Sequence, residues 1–347
     1  MTTSNLGTVL VVGGSGFLGS HIVTRLLNGS HASSIIITSR NLRPHKDLRV
    51  TCHPVDIASQ ESVDKLFEET QPDVVIHTAS PHPHAPASSL HAGNVNGTRN
   101  LLDAARRSKK TTAFVYTSSN SAVHPSPFQQ TTEAESILYT ASTAPNPYAA
   151  TKAVADALVL SSNCEGLKTA VLRVPSVYGE NDRNFIAQIV TSIRAGKYRE
   201  QVGPDEKMHE TVYAGSAAEA HILAAKALLD GSDGVEGEAF FITDNSPSPF
   251  FAFYRRCCAA AGYPVAENEV RMNPFWVVKA FASVGEWVVW IVSLGRRMPE
   301  LRREDIEHLD RGWWWSCGKA ERVLGYRPVM ELDEAVRVSM EWGMENC

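Results

Sequence analysis

The amino-acid sequence predicts an α/β protein, a doubly wound parallel sheet followed by a smaller, mostly helical C-terminal lobe. Three observations predict it. A β-branched run, Thr8–Val12, ends in glycines and opens into a helical pattern. Strand-like and helix-like patterns then alternate as far as residue 173. A Tyr-x-x-x-Lys pair, Tyr148 and Lys152, stands at the start of the helix that follows the fifth strand.

Thr8–Val12 reads as a buried parallel strand, because it is apolar without alternation. Phe17, Leu18, Ile22, Val23, Leu26 and Leu27 then share one side of a helix. Ser34–Thr38 and Val50–Val55 read as the second and third strands, and Gln60–Glu68 as a helix. Asp73–His77 is the fourth strand, Val95–Ala105 a helix and Ala113–Thr117 the fifth strand. A long helix runs from Tyr148 to Ser161, with a sixth strand at Thr169–Arg173. Right-handed crossovers close such a series into one parallel sheet. Beyond Val174 the alternation weakens and Pro and aromatic residues increase. Residues 1–173 plus 213–243 are expected to form a dinucleotide-binding domain, and 174–212 with 244–347 the substrate lobe.

The 347 residues are enough for one large core, with 43% hydrophobic and 20% charged residues. A net charge of −5, with both signs spread along the chain, argues against nucleic acid as a partner. The six cysteines, Cys52, Cys164, Cys257, Cys258, Cys317 and Cys347, form no Cys-x-x-Cys pair, and reduced thiols are expected. The polar start, Met1–Gly7, has no basic stretch leading into an apolar one, so a cytoplasmic chain is expected. One segment is different in character. Residues 275–294 are strongly apolar, carry three Trp, and include only Lys279 and Glu286 as charges. Three placements compete: a lobe helix covering the substrate pocket, a helix lying in a membrane interface, and a true span. The order of preference is as given, because mid-segment charges oppose a span and Trp-rich faces suit cores as well as interfaces.

Gly13, Gly14, Ser15, Gly16, Phe17, Leu18 and Gly19 lie between the first strand and the first helix. Gly13 and Gly16 permit a tight turn and close backbone approach to a pyrophosphate; Gly19 lets helix and sheet pack closely. The helix N-terminus offers free N–H groups to the anion. At the end of the second strand, an acid would bind an adenosine ribose hydroxyl; here stand Thr38, Ser39 and Arg40. A hydroxyl beside a guanidinium accepts a 2′-phosphate, so NADP is favoured over NAD. Asp56, at the end of the third strand, is placed to contact adenine, although a loop cap is equally ordinary work for Asp.

Tyr148 and Lys152, at i and i+4, share one helical face. A neighbouring ammonium favours a phenolate, which suits Tyr148 to exchanging a proton with an alcohol. Tyr116-Thr117-Ser118-Ser119-Asn120-Ser121 follows the fifth strand, at the edge where open α/β sheets bind ligands. Ser119 is the preferred hydroxyl for the reacting oxygen, with Ser118 and Ser121 as rivals. His82 and His84 alternate with prolines in a stiff loop and lack a third ligand nearby, so no metal is expected.

Taken in order, these motifs resemble the extended short-chain dehydrogenases, and within them the 3β-hydroxysteroid dehydrogenase and sterol-4-carboxylate 3-dehydrogenase family. The blocks are Gly13–Gly19, Asp56-Ile57, Val75–Ser80, Asn94–Thr98, Tyr116–Ser119, Tyr148 with Lys152, and Leu172–Gly179. Tyr213…His221, Phe240–Thr243 and Lys319…Pro328 continue the match, which is weakest over 244–310. Val174 stands where the family usually has proline, with Pro175 after it, and Ala214-Gly215-Ser216 replaces a more polar family segment. The resemblance implies a Rossmann-type fold and NAD or NADP. It implies Tyr148 as acid/base, Lys152 as ribose ligand, Ser119 as the orienting hydroxyl and Asn94 as the holder of a relay water. It implies cofactor contacts from Ile57, Ala79, Val174, Pro175 and Val177. The expected reaction is oxidation of a 3β-type hydroxyl on a sterol, triterpenoid or meroterpenoid, with loss of a C4 carboxyl to follow where one is present. A ketone or aldehyde reductase using NADPH is the alternative, and a non-catalytic dinucleotide sensor the alternative of another class. Expected partners are a small hydrophobic substrate, a second copy in a homodimer, and an intracellular membrane surface along 275–294.

Overall fold

The computed structural model describes residues 5–40, 45–125, 129–293 and 302–347. Of the segments read above, Met1–Ser4 and Leu294 lie outside them. The first half alternates as the patterns require: β1 (Thr8–Val12), α1 (Phe17–Asn28), β2 (Ser34–Ser39), β3 (Val50–Pro54), α2 (Gln60–Thr70) and β4 (Val74–His77). A helical rod follows, α3 (Ala87–Leu90) and α4 (Thr98–Arg107), joined by π-helical turns over His91–Gly97. Then come β5 (Ala113–Ser119), α5 (Pro147–Ser161) and β6 (Lys168–Val174). The single helix expected over Val95–Ala105 is thus the end of a longer rod with a widened middle. Gly97 allows this, since a Cβ there would stand 2.6 Å from the Ile57 side chain.

Later elements are shorter: β7 (Ser176–Tyr178), α6 (Phe185–Arg194), β8 (Glu200–Val202), β9 (Met208–His209), β10 (Thr211–Tyr213), α7 (Ala214–Leu229) and β11 (Glu238–Phe241). The chain ends with β12 (Ser248–Pro249), α8 (Phe250–Ala260), β13 (Arg271–Asn273), α9 (Phe275–Ser293), α10 (Arg303–Arg311), α11 (Gly318–Val323) and α12 (Leu332–Asn346). Seven strands form the main sheet in the order β11-β6-β5-β4-β1-β2-β3. Every pairing in it is parallel. The order reverses at β1, between β2 and β4, which is where a crevice opens at the carboxyl ends of the strands. Buried aliphatic residues fill both faces, among them Val9, Val11, Ile35, Ile37, Val74 and Ile76 on one side and Leu10, Ile36, Val75 and Val171 on the other.

The helix α7 packs on α1, so 213–243 returns to the main sheet as its pattern indicates. A second core holds the lobe together: Tyr178, Ile186, Ile189, Phe253, Val336 and Met340 join α6, α8 and α12. The short β7 pairs with β10, β8 with β13, and β9 with β12. The favoured reading of 275–294, a helix with its apolar face turned over a pocket, is not what the structure shows. Only Ala282 of α9 is buried, and Trp276, Trp287, Trp290, Val284, Val288 and Val292 are exposed. An apolar pattern alone does not distinguish a protein core from any other non-aqueous surrounding.

The sharpest packing constraint on α5 is a buried ion pair. Asp156 receives two bonds from Arg173 of β6, Nε at 2.9 Å and Nη2 at 3.0 Å, and a third from the Ser118 hydroxyl at 2.7 Å. Both partners are almost sealed from water, 0% and 5% exposed. Removing one would leave the other charge buried without compensation. Asp156→Ala is therefore expected to cost about 3–5 kcal/mol in a urea unfolding series, and the apolar double replacement Asp156→Leu/Arg173→Met much less. In the glycine turn, a Cβ on Gly19 would come within 2.1 Å of the Gly13 carbonyl oxygen. Gly19→Ala should destabilise by about 1–3 kcal/mol, whereas Gly166→Ala, with nothing within 4 Å of the added atom, should stay within about 0.5 kcal/mol.

Candidate active site

The crevice at the strand reversal is a cavity of about 620 Å³. Its walls include Gly13, Ser15, Gly16, Phe17, Leu18 and Gly19 from the turn, Ser39 and Arg40 from the end of β2, and Asp56 and Ile57 from the end of β3. Ala79, Ser80 and Pro81 close it beyond β4, and Ala92 and Gly93 from within the π-helical turns. Each of these positions follows from a strand end delivering its next residues to one edge of the sheet. The cradle fits a dinucleotide. Gly13 has φ +86°, and a Cβ there would meet the Ala79 backbone nitrogen and the Thr78 hydroxyl at 2.9 Å, so backbone stands where a side chain would fill the space. The first turn of α1 carries no acidic residue, which leaves its free N–H groups to an anion. Ser39 and Arg40 both face the volume and no carboxylate replaces them at that corner. Asp56 lines the cavity and accepts from the Ala58 backbone at 3.0 Å, the loop cap considered for it. Val174, Pro175 and Val177 are not among the cavity walls. Val174 instead pairs in register with Ser119 across β5 and β6, and Val177 with Val212. Val174 is therefore a neighbour of the serine, and none of the three is a wall of the cofactor-sized cavity.

The catalytic candidates gather at the carboxyl end of β5 and the first turns of α5. Pro147 begins α5, and the Asn146 side chain caps it by accepting from Ala149 N at 2.8 Å. That cap aims Tyr148 at the end of β5, where its phenol stands near the Ser119 hydroxyl. Ser119 also caps the short turn after β5, accepting from Ser121 N at 3.1 Å. Its rival Ser118 is committed to Asp156. Lys152 is buried one turn below Tyr148, 3% exposed. Its ammonium donates to the Thr117 carbonyl at 2.6 Å and the Tyr116 hydroxyl at 3.0 Å. Asn94, in the π-helical turns, donates from Nδ2 to the Thr151 hydroxyl at 3.1 Å, while its buried Oδ1 has no partner. An orphaned buried carbonyl beside a catalytic helix is suited to holding a water.

The electrostatics depart from the simple picture of an ammonium lowering its neighbour's pKa. Burial raises the Tyr148 phenol above its ordinary value, opposed by the nearby Ser119 hydroxyl. Burial pushes Lys152 down to about 7, opposed by the carboxylate of Asp156 one turn further along α5. Beneath them the ring nitrogens are neutral. His221 donates from Nδ1 to the Ala217 carbonyl at 2.7 Å, so its Nε2 accepts the Thr117 hydroxyl, also at 2.7 Å. His77 bonds Thr98 at 3.1 Å, and burial holds its pKa down at about 3. Sequence reasoning missed Asp156, Arg173, Tyr116 and His221. Of these only Asp156 left a signal, since Tyr148, Lys152 and Asp156 stand at i, i+4 and i+8 on one face.

The depressed Lys152 has a defined consequence for stability. Between about 7, its folded value, and 10.5, its ordinary one, the unfolded chain holds a proton that the folded chain does not. Stability then rises with pH across that window, by up to about 1.4 kcal/mol per pH unit from this group. In Lys152→Met the rise is lost, so wild type should gain stability relative to the variant between pH 7 and pH 10, as read from urea midpoints. A flat difference across that range would mean that the amine is charged and solvated in the folded protein.

Comparison with known proteins places this site. The 3-beta hydroxysteroid dehydrogenase/isomerase family matches residues 10–272. A sterol-4-alpha-carboxylate 3-dehydrogenase, decarboxylating, of Gibberella zeae is 46% identical over 294 residues, 83% of this chain and 97% of its own length. A 2-alkyl-3-oxoalkanoate reductase of Stenotrophomonas maltophilia is 30% identical across 95% of this chain and 97% of its own length. Among solved structures, the Thermus thermophilus UDP-glucose 4-epimerase complex with NAD shares the fold at TM-score 0.70 and 22% identity, covering 98% of this chain and 100% of that one. With the glycine cradle and the Ser-Tyr-Lys cluster on one sheet edge, the chain belongs to the 3β-hydroxysteroid dehydrogenase/isomerase family, NAD(P)-dependent oxidoreductases acting on CH–OH groups.

Proposed function

We propose that this enzyme oxidises the 3β-hydroxyl of a sterol-like 4-carboxylic acid and that the product loses its carboxyl group as carbon dioxide. The observation that carries the reaction type is the gathering of Tyr148, Ser119 and the buried Lys152 at the end of β5 and the first turns of α5. The substrate class is supported by the relatives. The names of both place the oxidised carbon β to a carboxylate, one as a 4-carboxylate 3-dehydrogenase and one as a 3-oxoalkanoate reductase.

The nicotinamide, when bound, supplies the hydride acceptor. Ser119 donates to the substrate oxygen and holds it against Tyr148, which removes the hydroxyl proton. Lys152 stabilises the phenolate as it forms, and the water expected on Asn94 Oδ1 passes the proton outward. Val174, which pairs with Ser119, and Pro175 and Val177 after it are proposed to flank the nicotinamide end. Once the alcohol has become a ketone, a carboxylate β to it has an electron sink. The bond from C4 to the carboxyl carbon breaks, its electrons enter the enolate, and protonation at C4 restores the ketone. No further catalytic group is needed for that step.

Within NAD(P) dependence, Ser39 and Arg40 on the cavity wall favour NADP, because a guanidinium and a hydroxyl suit a 2′-phosphate that a carboxylate would repel. The same corner favours a second reading, reduction of a β-keto acid with NADPH, of the kind named for the Stenotrophomonas relative.

Purified enzyme supplied with a 4-carboxy-3β-hydroxysterol, with NAD and NADP in parallel, is expected to release carbon dioxide in equal amount to the cofactor reduced. Tyr148→Phe should lower turnover by about 10²–10⁴-fold without loss of dinucleotide binding. Reduction of a β-keto acid without oxidation of the sterol acid would select the second reading. Arg40→Ala should raise the KM for NADP about tenfold or more, the scale of one lost charge-assisted contact, and leave that for NAD nearly unchanged. Equal effects on both cofactors would remove the assignment of Arg40 to a 2′-phosphate.

A further inference from the structure

The mechanism leaves one buried polar group without a role, His77 at the end of β4. The three residues before it, Val74, Val75 and Ile76, are aliphatic and belong to the cores on the two faces of the sheet. Instead of a fourth such residue, a ring with two nitrogens packs against Phe114 and Tyr116, 0% exposed. Burying a polar ring costs free energy unless its nitrogens find partners. Nε2 bonds the Thr98 hydroxyl at 3.1 Å, and Nδ1 has no partner among the described residues. Thr98, the first residue of α4, is fully buried as well.

From Thr98 the contacts lead to the catalytic lysine. His77 and Tyr116 are partners in register across β4 and β5, with ring centres 5.3 Å apart. The Thr98 hydroxyl also stands near the Tyr116 phenol. The Tyr116 oxygen accepts from Lys152 Nζ at 3.0 Å. An ammonium can only donate, so Tyr116 must present a lone pair to it and direct its single proton elsewhere. The Thr98 oxygen can receive that proton when His77 Nε2 takes the proton of Thr98. The other tautomer of His77 would reverse the line and turn the phenol proton toward the ammonium.

We propose that His77 is a positioning residue for the reaction: as a neutral acceptor behind Thr98, it keeps a lone pair of the Tyr116 oxygen turned to Lys152. Burial holds the ring neutral, with a pKa of about 3, so it accepts throughout the range in which Lys152 titrates. Each member is fixed by a different element, β4, α4, β5 and α5, and aligned dipoles in a dry site reinforce one another. The other titratable groups around Lys152 are Tyr148 and Asp156 on α5, with Arg173 bonded to Asp156 and His221 behind Thr117. Asp156 supplies charge to the amine, and His77 supplies direction. The inference rests on the role proposed for Lys152 beside Tyr148 and is independent of the substrate.

The experiment is titration of Lys152 in the full chain labelled with carbon-13 lysine, its Cε resonance assigned from Lys152→Met. His77→Phe keeps a ring in the core and removes the acceptor. It should lower the Lys152 midpoint by about one pH unit, the scale of one weakened hydrogen bond to a charged group. Tyr116→Phe should lower it at least as far. His77→Phe/Tyr116→Phe should go no further than Tyr116→Phe alone, because His77 acts through that phenol. Thr98→Val should match His77→Phe, and stands in for it where the ring replacement does not fold. His77→Gln, which places an acceptor near the position of Nε2, should restore the wild-type midpoint. In turnover, His77→Phe should move the rising limb of kcat for alcohol oxidation to higher pH, since a less charged amine favours the Tyr148 phenolate less. The turnover arm rests on the proposed reaction and the titration does not, so failure of one is readable apart from the other. A midpoint unmoved by His77→Phe and Thr98→Val, with only the urea midpoint lowered, would overturn the proposal and leave His77 as a tie between β4 and α4. So would equal shifts from His77→Phe in wild type and in Tyr116→Phe, which would mean that the ring does not act through the phenol.

Discussion

Asp156 is the constraint on which the catalytic arrangement depends. It accepts from Arg173 on β6 and from Ser118 on β5, while standing on α5 two turns beyond Tyr148. One carboxylate therefore registers the helix that carries Tyr148 and Lys152 against the two strands that end in Ser119 and Val174. Arg173 extends the network by donating to the Ser136 hydroxyl at 2.9 Å, and its guanidinium stands 5.6 Å from the Phe241 ring on β11. Loop, helix and three strands thus meet at a pair that water does not reach. A surface pair would hold them weakly, because exposed ion pairs contribute about 0–1 kcal/mol. A buried pair is not clearly better than an apolar contact for stability, but its geometry is directional. Direction is what the approach of Ser119 to Tyr148 requires.

The same burial works against the chemistry it positions. A dry pocket raises the phenol of Tyr148 and lowers the amine of Lys152, which disfavours the charged form of each. Within the protein, two groups oppose this: Asp156 acting on Lys152, and Ser119 acting on Tyr148. Lys152 is meanwhile held by the Thr117 carbonyl and the Tyr116 hydroxyl, and its nitrogen stands 4.5 Å from the Tyr116 ring centre. The Thr117 side chain is in turn fixed by the neutral His221. Every group around the amine is thus a positioned dipole, and the chain places only one full charge, that of Asp156, to keep it cationic. Such a site is poised: a modest added field tips Lys152 toward ammonium and Tyr148 toward phenolate, where a solvated pair would respond less.

The sequence made legible those features that depend on local rules. The strand-turn-helix at Thr8–Asn28 could be read because glycines at 13, 16 and 19 have a single economical use there, and the close contacts at Gly13 and Gly19 show that use. Tyr148 and Lys152 could be read because i and i+4 share a helical face. Long-range pairings left less trace. No local pattern joins Arg173, at the end of the sixth strand, to Asp156 within a helix, and only the β5–β6 register brings Ser118 opposite Arg173. The π-helical turns at His91–Gly97 were illegible for a related reason. They arise from the fit of Gly93 against Pro81 and of Gly97 against Ile57, contacts far apart in the chain. For α9, hydropathy reports that water is avoided and says nothing of what replaces it. The turn of Lys279 and Glu286 together toward α10 is a tertiary pairing that hydropathy does not encode.

The division of labour in the fold explains why the chemistry is easier to read than the substrate. An epimerase at 22% identity shares this sheet over nearly its whole length. The sheet edge offers a dinucleotide cradle and a proton-transferring phenol, and neither element discriminates between a sugar and a sterol. Discrimination must come from the lobe, and the lobe is where the chain's own character is strongest. Its core is built from Tyr178, Tyr213 and Phe253 together with α6, α8 and α12. Trp313 and Trp315 pack with Phe241 under the 129–139 loop, where Thr131 is tied to Trp314 and Ser316 by backbone bonds. A diphosphate-bearing sugar would need cations facing such a pocket. The arginines of α8, α10 and β6 are instead paired with nearby acids: Arg256 with Asp333, Arg303 with Glu307 and Arg173 with Asp156. With those charges engaged and the surrounding helices apolar, the lobe is suited to a ligand recognised by shape and hydrophobic area, and the sheet is left to supply the only strongly polar contacts at the reacting carbon.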